Sequence, residues 1–164
     1  MGAGYGFVCK KCGCEYGAHP GIGMGYPSVY RDLVKKILAG KYGEEYRKLF
    51  KETPYAAING ETHTYVCANC GNWNDEENLT LYAPNDAEEV AKIPYGEKTV
   101  KERGYIPYAM ERDLKEHFHA IRRYRHHCSK CGHIMHQATE EESRHLPCPE
   151  CGEKNEPFSM IMWD

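Results

Sequence analysis

Apolar residues recur at spacings of three and four in two neighbouring stretches near the start of the chain. Tyr30, Leu33, Val34, Ile37 and Leu38 form the first, and Tyr42, Tyr46, Leu49 and Phe50 the second. The spacing predicts two amphipathic helices, an αα-hairpin over about 28–52. Pro27-Ser28 supplies a start, with Ser28 as N-cap, Gly40 ends the first helix, and Pro54 stops the second. A third helix is predicted over 110–121, with Met110, Leu114, Phe118 and Ile121 on one face. Short strands are expected at 62–66, 123–127 and 157–163, the last closing a C-terminal ribbon. Between them, the polar, turn-rich stretch from Ala83-Pro84-Asn85-Asp86 to Pro94-Tyr95-Gly96 predicts a linker or excursion.

The apolar content changes what these elements can bury. The 164 residues are 41% hydrophobic, but the share leans on 13 tyrosines against 4 phenylalanines and 2 tryptophans. Tyrosine keeps its hydroxyl near water or a partner, so a large dry core is not expected. Chains of this kind use a disulfide or a metal to offset the entropy of ordering. No apolar run approaches the roughly 20 residues that span a bilayer, and Met1 to Gly6 lacks the basic and apolar regions of a signal peptide. The expectation is a cytoplasmic protein with no membrane partner, in which close cysteine pairs are metal ligands rather than disulfides.

Eight of the nine cysteines fall into four turns of one form: Cys9-Lys10-Lys11-Cys12-Gly13, Cys67-Ala68-Asn69-Cys70-Gly71, Cys128-Ser129-Lys130-Cys131-Gly132 and Cys148-Pro149-Glu150-Cys151-Gly152. A Cys-x-x-Cys turn points two sulfurs at one ion while following backbone N–H groups hydrogen-bond those sulfurs. The glycine permits the positive φ that ends the turn. Two turns together give a four-thiolate site. Four turns admit three pairings, and loop closure favours the sequential one: Cys9, Cys12, Cys67 and Cys70 in one site, Cys128, Cys131, Cys148 and Cys151 in the other. On that pairing the chain divides into an N-terminal module at 1–83 carrying the helical insert, a linker or excursion at 84–107, and a helix with a C-terminal module at 108–164. The expected fold class is α+β, two tetracysteine modules of short antiparallel strands.

The turns Cys128-x-x-Cys131-Gly132 and Leu146-Pro147-Cys148-Pro149-Glu150-Cys151-Gly152 resemble the paired knuckles of zinc-ribbon proteins over about 124–163. Phe7-Val8-Cys9 through Gly13 and Tyr65-Val66-Cys67 through Gly71 match the same pattern with a far longer insert. The resemblance implies two Zn2+ ions. Cys148-Pro149-Glu150-Cys151-Gly152-Glu153-Lys154 with Phe158, and Cys12-Gly13-Cys14-Glu15-Tyr16 after Phe7-Val8-Cys9, also resemble rubredoxins. That family holds iron in the same ligand set, and the resemblance implies one-electron transfer; ligand type alone does not separate the two metals.

A four-cysteine site is coordinatively closed and activates no water. Pro147-Cys148-Pro149-Glu150-Cys151 matches one half of a zinc deaminase, but His-x-Glu is absent and Cys-x-Glu occurs only within the same turn. His-Glu-x-x-His is absent as well. Segment 17–25 is glycine-rich but lacks the lysine and Ser/Thr of a phosphate-binding loop. Cys14, the ninth cysteine, reads as a small buried residue. The chain therefore reads as non-enzymatic, with no small-molecule substrate evident.

The formal charge of −3 falls to about −7 when two four-thiolate sites each hold a divalent ion. Lys10, Lys11 and Lys130, inside the turns, are placed to offset it. The one basic stretch is 117–139, which contains no acidic residue. Arg122, Arg123, Arg125 and Lys130 there, with Tyr124 among them, are candidates to contact nucleic-acid phosphate and stack a base. The alternative is that the arginines balance the C-terminal site and pair with Glu140, Glu141 and Glu142. The functional expectation is a zinc-binding recognition or adaptor protein whose partner is nucleic acid or another protein. The rival expectations are a rubredoxin-like iron protein and a protein–protein adaptor with purely structural zinc.

Overall fold

A computed structural model describes residues 2–163. In chain order the elements are β1 (Gly2–Val8), β2 (Glu15–Ala18), α1 (Tyr26–Leu38), α2 (Glu44–Glu52), β3 (Ala57–Ile58), β4 (Thr62–Val66), β5 (Trp73–Glu77) and β6 (Leu81–Pro84). There follow α3 (Ala87–Lys92), β7 (Pro94–Tyr95), β8 (Lys98–Thr99), α4 (Val100–Arg103), α5 (Glu111–His117), β9 (Phe118–Arg122), β10 (His136–Gln137), α6 (Glu140–Arg144) and β11 (Ser159–Trp163). The result is a mixed α and β protein with small antiparallel sheets. It has two compact units, neither contiguous in sequence: 1–24 with 62–77 and 125–164, and 25–61 with 78–124. These units cut across the division 1–83, 84–107 and 108–164.

The cysteine-bearing unit contains two three-stranded sheets of one topology. In the first, β1 and β2 form an antiparallel pair, Tyr5 opposite Ala18 and Val8 opposite Glu15, and β11 pairs with the other edge of β1, Tyr5 opposite Met160. In the second, β4 pairs with β5, Val66 opposite Trp73, and β10 pairs with the other edge of β4, Val66 opposite His136. Each sheet is thus a hairpin whose first strand receives a third strand from much later in the chain. Strand β11 accordingly closes the N-terminal hairpin, not a C-terminal ribbon. Among the described residues the buried apolar side chains of this unit form one cluster of Phe7, Ala18 and Leu146, with Tyr5, Tyr16, Val66 and Trp73 packed against it, and one of Tyr65, Cys67, Cys128 and Met135.

The other unit carries most of the fully buried side chains, among them Tyr30, Leu33, Ile37, Ile58, Leu79, Leu81, Val90, Val100 and Leu114. Helix α1 buries Tyr26, Tyr30, Leu33 and Ile37; of the expected stripe Tyr30, Leu33 and Ile37 are in the core, Val34 is half-buried and Leu38 is exposed, while Tyr26 joins the buried face from the first turn. Its start differs: Gly25 occupies the cap position and Pro27 lies in the first turn, so Ser28 is already helical and caps nothing. Gly40, at φ 81°, follows the end of α1, and α2 stops at Glu52, before Pro54.

Stretch 84–107 does not run as a bare linker. Asp86 caps α3, the β7–β8 hairpin follows, Thr99 and Glu102 form a capping box on α4, and Val90, Val100 and Ile106 are buried. The predicted helix at 110–121 is also cut short. Helix α5 ends at His117, and Phe118 to Arg122 extend to pair with β6, Pro84 opposite Phe118 and Tyr82 opposite Ala120. Sheet pairing overrides the helical spacing there. No strand forms over 123–127; His127 alone bridges to Ile134.

Candidate metal centres

The four cysteine turns adopt one backbone form. In each, the first cysteine N–H donates to a carbonyl five residues on: Cys9 to Cys14, Cys67 to Asn72, Cys128 to His133 and Cys148 to Glu153, all at 2.8 Å. The glycine N–H donates back to the carbonyl of the first cysteine at 2.8–2.9 Å, with φ between 71° and 77° at Gly13, Gly71, Gly132 and Gly152. That left-handed turn leaves amide groups facing the sulfurs. The N–H groups of Lys11 and Cys12 reach Cys9, those of Lys130 and Cys131 reach Cys128, and those of Glu150 and Cys151 reach Cys148. The first and third of the turns lie between paired or bridged strand ends, β1–β2 for the first and His127–Ile134 for the third, and the second and fourth likewise lie in β4–β5 and Pro147–Lys154.

The turns do not pair sequentially. Cys9, Cys12, Cys148 and Cys151 form one group, and Cys67, Cys70, Cys128 and Cys131 the other, so the second site is nested inside the first. The expected pairing of Cys9 and Cys12 with Cys67 and Cys70 is therefore corrected. Sulfur–sulfur distances are 3.5 Å for Cys9–Cys151 and 3.6 Å for Cys12–Cys148. In the nested site they are 3.5 Å for Cys67–Cys131, Cys70–Cys128 and Cys70–Cys131. A tetrahedron of sulfurs about 2.3 Å from a central ion has edges of about 3.8 Å. Both groups fall within a few tenths of an ångström of that, and none of the nine cysteines is in a disulfide. All eight sulfurs can hold metal, one ion to each group of four.

Loop closure failed as a guide because its cost grows only with the logarithm of length. Bringing together turns separated by 136 and 58 residues costs about 2 kcal/mol more than closing the sequential loops. A structural zinc site contributes about 10–16 kcal/mol. What selects the nested pairing is the strand pairing: β11 on β1 carries the fourth turn to the first, and β10 on β4 carries the third to the second.

Charge in these groups is frustrated in the absence of a cation. The N–H of Cys12 leads in drawing Cys9 down to about 6 against the effect of burial, and the N–H of His133 leads in drawing Cys131 down to about 5. Cys12 and Cys70 receive N–H groups of Cys14 and Asn72, yet are pushed up to about 12 by neighbouring sulfurs and burial. Four thiolates at this spacing require a compensating cation. The two sites have the same exposure pattern: the first cysteine of each turn is buried, Cys12 and Cys70 are exposed, and Cys131 and Cys151 are intermediate.

Two asparagines brace the sites, and the sequence pattern did not single them out. Buried Asn155 accepts from the Lys10 N–H at 3.1 Å and donates to the Glu153 carbonyl at 3.0 Å and to the Tyr16 hydroxyl at 3.3 Å, joining the first turn to the fourth. Asn72 donates to Cys128 Sγ at 3.6 Å, joining the second to the third. Their signal was a polar amide shortly after a Cys-Gly, which is common in turns and carried no weight alone. The Trp73 indole N–H donates to the Pro147 carbonyl at 2.8 Å, and the Tyr16 hydroxyl to the Leu146 carbonyl at 2.9 Å, holding the approach to the fourth turn.

The remaining candidates are dispersed. Arg122 forms a two-pronged ion pair with Glu45 at 3.0 and 3.2 Å, rather than with Glu140, Glu141 or Glu142. Tyr124 packs edge-on against Tyr42 and Tyr46. Arg123, Arg125 and Lys130 are exposed. Glu140 and Glu142 are taken by Arg144 and His136. His126 is buried against the Tyr65 ring, and among the described residues the metal-capable groups are the two tetracysteine sets. Cys14 is half-buried, outside both sets, its thiol directed to the Glu15 carbonyl at 3.6 Å. No described helix is long and apolar enough to cross a membrane. Comparison with family models, with curated proteins and with solved structures gives no match, so the functional assignment rests on the geometry of the two centres.

Proposed function

We propose that the protein is a non-enzymatic recognition module folded around two structural zinc ions. The observation that carries this is the completeness of each centre. Four sulfurs close the tetrahedron, and backbone N–H groups from the turns support them, so no position is left at which a metal-bound water could form. Bound zinc would supply cross-linking and charge compensation; the surface of the cysteine-bearing unit would supply the binding.

The partner we propose is a nucleic acid held through its phosphates by the outer face of the third turn. Arg125, His127, Lys130 and His133 are exposed there without an acidic residue between them. Arg123 is exposed beside them in sequence, whereas the pairing of Arg122 with Glu45 and the lodging of Tyr124 among tyrosines remove those two from the proposal. Neutralising Arg125 and Lys130 together should lower the slope of log affinity against log salt by about 2 for a duplex. Affinity and slope both unchanged in that variant would refute the nucleic-acid partner while leaving the structural zinc intact, and a protein partner would then be sought.

The same ligand sets would hold iron, and the exposed edges at Cys12 and Cys70 favour electron transfer as the second reading. Elemental analysis of protein purified without added metal separates the two. About two zinc per chain supports the recognition module, and stoichiometric iron with a red colour supports electron transfer.

A further inference from the structure

Away from the cysteines, the helical unit contains a cavity of about 410 Å³ between α1, the β7–β8 hairpin and the segment that follows α4. Tyr95, Tyr105, Tyr108 and Pro107 supply flat walls, and Arg31 and Arg103 are the charged residues of the lining, with no carboxylate among it. Two of the walls brace each other. Tyr95 and Tyr108 meet edge to face at 5.1 Å, and the Tyr95 hydroxyl donates to the Tyr108 carbonyl at 2.7 Å. Tyr105, at the mouth, is 58% exposed.

Arg103 is positioned by one N–H donated to the Tyr95 carbonyl at 2.7 Å, while its buried Nε has no hydrogen-bond partner. A buried guanidinium N–H without an acceptor is costly unless something supplies one. Among the described residues neither Arg31 nor Arg103 forms an ion pair with a carboxylate. A guanidinium offers paired N–H donors that match the two oxygens of a phosphate or carboxylate, and tyrosine rings offer a face for a flat ring. Cavities of this size hold small organic ligands.

We infer that this cavity binds a small molecule joining a flat ring to an oxyanion, the ring against Tyr105 and Tyr108 and the oxyanion on Arg31 and Arg103. The site is independent of the two metal centres and of the nucleic-acid proposal. It would give a module with no catalytic constellation a small-molecule input.

The test is an NMR titration of the metal-loaded full chain with adenosine monophosphate, with 4-hydroxybenzoate and with inorganic phosphate, following the Arg103 Nε–H and the tyrosine rings. At least one ring-bearing anion should saturate below about 1 mM, shift Arg103 together with Tyr95, Tyr105 and Tyr108, and bind about tenfold or more tighter than phosphate. Which of the two binds assigns the oxyanion as phosphate or carboxylate. Arg31→Gln, an exposed substitution that leaves the fold's contacts in place, should weaken binding about tenfold, and Arg103→Gln should do so without altering metal content. No shift with either ring-bearing anion, phosphate binding as tightly as both, or binding unchanged in Arg31→Gln would overturn the inference.

Discussion

Gly4 and Gly132 must be glycine for different physical reasons, and the two can be told apart by substitution. A β-carbon on Gly4 would sit 2.0 Å from the carbonyl oxygen of Ala18, so a side chain there has to push β1 away from β2. At Gly132 the surroundings are open, with nothing within 4 Å, and only the φ of +74° resists a side chain. Gly132→Ala should therefore cost about 1–2 kcal/mol through the left-handed backbone, and Gly4→Ala about 2–3 kcal/mol or more through the clash. Urea unfolding of the metal-loaded protein orders the two; a larger loss for Gly132→Ala would contradict the assignment. At His145 the effect is one of charge. The Glu141 carbonyl first, then the Glu156 carboxylate at 3.1 Å, raise its imidazole above 6.5 against partial burial. A raised histidine contributes stability that is fully present below its unfolded value and is lost as pH rises through the folded one. Glu156→Gln should lower the His145 midpoint in an NMR titration, without returning it to 6.5, since the Glu141 carbonyl remains.

At the scale of elements, what the sequence made legible was local. The spacing Tyr30, Leu33, Ile37 locates α1, the glycines after each cysteine pair locate the four turns, and the strand expected at Thr62–Val66 forms with those bounds. What it missed was set at long range. Phe118 and Ile121 continue a helical stripe from Leu114, but β6 offers an open edge and takes them as strand β9. The pairing of the turns was decided likewise by β11 and β10 finding β1 and β4, and single-chain spacing encodes neither partner. Double cysteine variants test the nested pairing directly. Cys12→Ser with Cys148→Ser damages one site and should leave one metal per chain by native mass spectrometry, whereas Cys12→Ser with Cys67→Ser damages both and should leave none or two weakly held ions. Sequential pairing would give the reverse, and that result would overturn the assignment of both centres.

For the whole molecule, the two units differ in what holds them. Among the described residues the cysteine-bearing unit has two small apolar clusters, and Cys67 and Cys128, two of its buried residues, belong to a set that can hold a metal ion. With Tyr5, Tyr16, Val66 and Trp73 only partly buried against Phe7, Ala18 and Leu146, the ordering of three separate segments of chain is where a bound metal would contribute most. A structural zinc site contributes about 10–16 kcal/mol, which equals or exceeds the net stability of about 5–15 kcal/mol of an ordinary domain. The helical unit buries Tyr30, Leu33, Ile37, Ile58, Leu79, Leu81, Val90, Val100 and Leu114 and holds none of the eight candidate ligand cysteines. Removing metal with a strong chelator at neutral pH should therefore abolish hydrogen-exchange protection across 1–24, 62–77 and 125–164 while 25–61 and 78–124 keep most of theirs. Because the second unit's two segments begin and end in the first, loss of protection in both would mean that the metal centres also fix the ends from which the helical core is assembled. Retention in both would mean that the apolar clusters suffice without metal, and any bound ion would then have to be explained by function rather than by folding.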